Sequence, residues 1–124
     1  GSQEIEKYTY KWINNEKYQK KDCFVVERYP IDKKNSGYIR QTLWIDNQEY
    51  RILKTEFFDR KNSQLKTLIF KDYNQYKGKY WRPGEMYMEN HQTGKTTRLL
   101  QSNYNFDAKL SDRDFDKNSL KRAR

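Results

Sequence analysis

The run Tyr80-Trp81-Arg82-Pro83-Gly84-Glu85-Met86-Tyr87-Met88-Glu89-Asn90-His91-Gln92-Thr93-Gly94-Lys95-Thr96-Thr97-Arg98-Leu99 decides the fold. It reads as a β-hairpin with a polar tip, in which Gly94 suits a position of positive φ. Met86 and Met88 share one face of the first strand, while Glu85, Tyr87 and Glu89 share the other. Two hairpins of the same design precede it, so most of the chain becomes one antiparallel meander. Such a sheet has an apolar face and a wet face.

Working outward, Tyr38 to Ile45 alternates, with Ile39, Gln41, Leu43 and Ile45 opposed to Tyr38, Arg40, Thr42 and Trp44. Asp46 to Glu49 is a turn, and Tyr50 to Asp59 the return strand. Asn62, in the turn Asp59 to Asn62, suits the left-handed conformation that asparagine tolerates. Gln64 to Tyr73 follows as a strand, and a loop runs through Lys77-Gly78. At the start of the chain, Ile5 to Ile13 carries alternating rings at Tyr8, Tyr10 and Trp12. Asn14-Asn15 opens a polar loop, and Asp22 to Tyr29 is a strand that Pro30 ends, because proline donates nothing to a ladder. The closing strand is expected over Lys95 to Phe106. Beyond it, Leu110 to Phe115 reads as a short serine-capped helical turn. The expectation is an all-β, curved antiparallel meander of about seven strands with that helical turn at its end.

The length of 124 residues fits one domain, spanning 1–124, with Gly1-Ser2 read as a tag remnant and 116–124 as a tail. Mean hydropathy is −1.35, which alone points toward disorder. Against it stand 11 Tyr, 3 Trp and 6 Phe, residues that favour strands and bury a ring while a polar tip stays wet. The formal net charge of +9 keeps the domain soluble and draws it toward polyanions or anionic lipid. The basic residues are dispersed, however, as on an ordinary solvated surface. No apolar run approaches the length of a membrane-spanning helix, and no signal peptide is legible.

Catalytic chemistry finds little support. Cys23 is the single cysteine and sits in the apolar run Cys23-Phe24-Val25-Val26, which predicts a buried, inert thiol. His91 is the single histidine and lies in a hairpin tip, without partners at metal-ligand spacing. The carboxylates of Glu85 and Glu89 fall on the wet face, and those of Asp112, Asp114 and Asp116 in the tail, where nothing desolvates them. Gly94-Lys95-Thr96 echoes the end of a phosphate-binding loop but lacks its upstream glycine and its strand–loop–helix setting. The expectation is a protein that is not an enzyme and needs neither metal nor cofactor. Aromatic and basic residues interleave from Tyr73 to Arg82, which keeps a nucleic-acid-binding β-barrel open as an alternative, though nucleic acid is the less favoured partner.

The order of motifs carries a family resemblance. Thr42-Leu43-Trp44-Ile45-Asp46, Phe57-Phe58-Asp59-Arg60 and Leu65 to Tyr73 come first. Tyr80-Trp81-Arg82-Pro83, Met86 to Asn90, Gly94 to Thr97 and Leu110 to Phe115 follow. Together they resemble the C-terminal part of LolA-like outer membrane lipoprotein-sorting proteins. The resemblance covers about Tyr8 to Leu120. It implies half of an unclosed β-barrel whose apolar face holds acyl chains, in the periplasm of a Gram-negative bacterium. It also implies that further strands and helices precede Tyr8 in the whole domain, and any signal sequence with them. The implied partners are lipoprotein acyl chains or lipid, with inner-membrane transporter components as possible further partners. Leu43, Ile45, Leu53, Leu68, Phe70, Met86, Met88 and Leu99 are the expected lining. In isolation, the uncovered face is expected to pair with a second copy or with another apolar surface. A ligand-free accessory module of an envelope transporter is the remaining alternative.

Overall fold

The computed structural model describes residues 6–101. They form seven strands: β1 (Tyr8–Tyr18), β2 (Lys21–Pro30), β3 (Arg40–Asp46), β4 (Ile52–Phe58), β5 (Gln64–Tyr76), β6 (Tyr80–Asn90) and β7 (Thr96–Leu100). All belong to one antiparallel sheet in the order β1-β2-β3-β4-β5-β6-β7, so every strand pairs with its neighbours in sequence and the sheet stays unclosed. The predicted meander is therefore present. The helical turn at Leu110–Phe115 and the flanking segments 1–2 and 116–124 lie outside the described residues.

Turn chemistry fixes most of the boundaries. Asn62 takes φ 61° and Gly94 φ 75°, as their residue types suggest. Asp59 accepts the backbone N–H groups of Lys61 and Ser63, each at 2.9 Å, and closes the β4–β5 turn. Asn90 does the same for Gln92 (2.9 Å) and Thr93 (3.1 Å) at the β6–β7 tip. β2 ends at Pro30, as expected.

The first hairpin departs from the sequence reading. Asn14-Asn15 is strand, not loop, and pairs with Val25 and Phe24. The turn falls instead at Gln19-Lys20, with φ of 50° and 67°. Positive φ at both central residues is what a tight hairpin of type I′ needs, and it commonly draws Asn-Gly. A turn built from Gln and Lys leaves no such mark, while the two asparagines supply a false one. A bulge between Trp12 and Asn14 leaves Ile13 unpaired and resets the alternation. Elsewhere β3 starts at Arg40 rather than Tyr38, and β5 runs on to Tyr76, where Lys77 (φ 54°) and Gly78 (φ 62°) make the turn.

The sheet is bent by design. Register shifts at Trp44/Ile45 and Phe57/Phe58 add twist to its middle. Asp72 has φ 56° within β5, and its carbonyl comes close to Gly84 across the ladder. A Cβ on Gly84 would stand 2.9 Å from that oxygen, so only glycine fits. Among the described residues the main buried cluster is Leu43, Ile45, Ile52, Phe57, Leu68 and Phe70, with Cys23, Val25 and Leu53 buried outside it.

Candidate functional site: a layered sheet face

Following the register across the strands sorts one face into three rows. The first is Tyr10, Arg28, Gln41, Phe57, Lys66 and Asn90, each directly opposite the next. The second is Trp12, Val26, Leu43, Thr55, Leu68, Met88 and Thr97. The third holds Phe24, Ile45 and Ile52 on one side and Phe70, Met86 and Leu99 on the other. Two rows are thus apolar, and the first, along one margin, is polar and cationic.

Seven of the eight expected lining residues share this face. Leu43, Ile45, Leu68 and Phe70 are buried in it, and Met86 and Met88 pack half-buried against the cluster. Leu99, on the edge strand, is 43% exposed. Leu53 is buried but lies outside the cluster. The bulge at Trp44/Ile45 is the reason: it sets Ile52, not Leu53, opposite Ile45. Ile52, Phe57 and Val26 join the face without having been singled out from sequence. Strict alternation through Tyr50 to Asp59 would have found Phe57; Ile52 needed the bulge.

The cationic margin is held in two ways. Arg28, 6% exposed, donates through Nε (2.8 Å) and Nη2 (2.6 Å) to Gln41 Oε1, and its guanidinium lies 4.2 Å from the centre of the Tyr8 ring. Burial pushes the Tyr8 phenol up to about 12, against the pull of Arg28. Lys66 instead places its ammonium over Phe57 (4.6 Å) and Tyr38 (5.0 Å). Among the described residues it makes no ion pair.

The opposite face is mixed: Val25 is buried in it in line with Trp44, Lys54 and Ile69, and its polar groups are locally paired. Trp44 Nε1 donates to Glu16 at 2.6 Å, Lys54 meets Glu56 at 3.1 Å, and Arg98 meets Glu85 at 3.0 Å. The bond from Arg98 holds the Glu85 carboxyl below its usual range. Cys23 is buried on this side, and burial pushes its thiol up to about 11, which makes it unreactive near neutral pH. Exposed His91 contacts Thr67 Oγ1 through Nε2 at 2.8 Å, which ties the β6–β7 tip to β5. The rings of the Tyr73–Arg82 segment are engaged by their own cations, with Arg51 4.5 Å from the Trp81 ring. Among the described residues no three His, Cys, Asp or Glu side chains gather as a metal site.

The described residues thus form an unclosed antiparallel meander with one layered apolar face. Known proteins share this architecture. A family model described as "Uncharacterized protein" matches residues 1–122. A solved outer membrane lipoprotein-sorting protein domain from Vibrio parahaemolyticus is 52% identical, with a TM-score of 0.78 over 97% of this chain and 51% of its own. A DUF1329 family protein from Desulfovibrio piger is 30% identical, with a TM-score of 0.75 over 85% of this chain and 43% of its own. A LolA superfamily protein from Nitrosomonas europaea is 27% identical, with a TM-score of 0.68 over 77% of this chain and 43% of its own. No curated protein matches. The chain belongs to the LolA-like outer membrane lipoprotein-sorting family. It spans about half the length of these solved proteins.

Proposed function

We propose that this chain is the lipid-facing part of a non-enzymatic periplasmic carrier that holds lipoprotein acyl chains or lipid during outer membrane lipoprotein sorting. The observation that carries the reading is the row structure. Leu43, Ile45, Leu68, Phe70, Met86, Met88 and Leu99 come from β3, β5, β6 and the edge strand β7, yet meet on one face. Leu53 lies beside it at the bulge.

Acyl chains suit such a face because each buried CH₂ contributes about 0.8 kcal/mol without any reactive group. The two methionines add a flexible, polarisable patch that conforms to chains of different shape. Inner-membrane transporter components are the protein partners this role requires at loading. Without lipid, the same face pairs with a second copy of the chain. The interleaved rings and cations of Tyr73 to Arg82 favour the nucleic-acid alternative less, since Arg51 already covers Trp81.

Native mass spectrometry of the natural protein after gentle purification from the cell envelope tests the reading. Mass increments of one lipid or acylated species on the monomer are expected, with dimers confined to the bare protein. A bare monomer in every preparation would sink it.

A further inference from the structure

The margin row gives the lipid-binding face a direction. Arg28 and Lys66 are its two cations, and no carboxylate occupies any of its six positions. The acidic neighbours Glu56 and Glu89 fall on the other face by strand alternation: Glu56, Thr67 and Glu89 form a row of their own. Arg28 is already bonded to Gln41. Lys66 differs. It is half-buried, and two aromatic faces fix its position without accepting any of its three N–H donors. Asn90 stands directly across the ladder with a further amide, and Leu68 and Met88 begin the apolar rows immediately beside this pair.

We propose that Lys66, with Asn90 beside it, receives the anionic phosphate headgroup of a single bound phospholipid, whose chains run from there over the half-buried Met88 and Met86. The assignment rests on the lipid-binding reading above and deepens it: the face selects lipid by headgroup charge as well as by chain. Charge complementarity carries it. A partly exposed ammonium at the rim of an apolar surface gains most from an anion that arrives already attached to an apolar chain. A neutral or zwitterionic head offers that ammonium less.

The test is competitive loading of the purified natural protein from vesicles holding equal amounts of dioleoyl phosphatidylglycerol and dioleoyl phosphatidylcholine, read by native mass spectrometry. The chains are identical, so only the head can discriminate. The expected preference for phosphatidylglycerol is about 5- to 10-fold, shrinking as salt rises. Lys66→Gln brings phosphatidylglycerol down to the phosphatidylcholine level, and Lys66→Arg keeps the preference. Lys71→Gln, an exposed lysine opposite Glu85 on the other face, keeps it as well. Equal loading of the two lipids by the unmodified protein overturns the headgroup assignment and leaves the carrier reading standing. A preference that survives Lys66→Gln, or that is lost in Lys66→Arg or Lys71→Gln, overturns it too. Loading of neither lipid overturns the headgroup assignment as well.

Discussion

Asp46 accepts four hydrogen bonds in the β3–β4 turn, from the backbone of Gln48 (3.1 Å), Glu49 (2.7 Å) and Arg51 (3.1 Å) and from Arg51 Nε (2.8 Å). Burial alone would raise its pKa, but these donors hold the carboxyl below its ordinary value. A carboxyl that binds its proton more weakly folded than unfolded stabilises the fold at neutral pH. That contribution is whole above the unfolded value of about 3.9 and fades as pH falls through the lower folded value. Asp46→Asn should cost about 1–3 kcal/mol at pH 7 and flatten the loss of Tm between neutral and acidic pH. Thermal melts across that range check it, with Asp32 and Glu85 left to supply the remaining acid dependence. Thr55 makes the opposite case. It is fully buried between Leu43 and Leu68, and among the described residues its hydroxyl has no hydrogen-bond partner. Thr55→Val removes that unsatisfied group at nearly constant volume and should stabilise by about 1 kcal/mol in urea unfolding. An unchanged or lower midpoint would mean the hydroxyl is bonded after all.

At the scale of the elements, sequence served best where alternation and turn residues agreed. Leu43 and Ile45 were legible because Tyr38 to Ile45 alternates without interruption, and the hairpin tip at Gly94 because glycine takes the φ of 75° that the turn requires. It served worst where a strand carries an extra residue. The bulge at Trp12/Asn14 and the one beside Ile45 leave no signature in residue type, yet each changes which side chain faces inward. The Gln19-Lys20 turn was missed for a related reason: two ordinary residues occupy left-handed positions where neither is favoured. Replacing them by Asn-Gly (Gln19→Asn with Lys20→Gly) relieves that strain and should raise stability by about 1 kcal/mol. Denaturant midpoints at unchanged slope check this; a drop would show that the β1–β2 turn does not carry the strain its dihedral angles suggest.

For the whole molecule, the strands were legible but the rows were not. A row collects one residue from each of up to seven strands, and the sequence separations between them depend on every turn and bulge on the way. Lys66 drew no attention in the sequence because, among so many basic residues, nothing marks the one lysine that lies in line with Arg28 at the edge of the apolar rows. That it has no ionic partner among the described residues becomes visible only when Glu56 and Glu89 are placed on the far face.

The uninterrupted strand order has a kinetic consequence. Each described strand pairs only with the strands made just before and just after it, so no pairing has to wait for a distant segment. Hairpins close in microseconds, and local pairings of this kind avoid the entropy of long loop closure that slows most all-β proteins. This sheet can therefore grow strand by strand in the order of synthesis, with its apolar face enlarging as it grows. An apolar chain offered early would meet a surface already capable of receiving it.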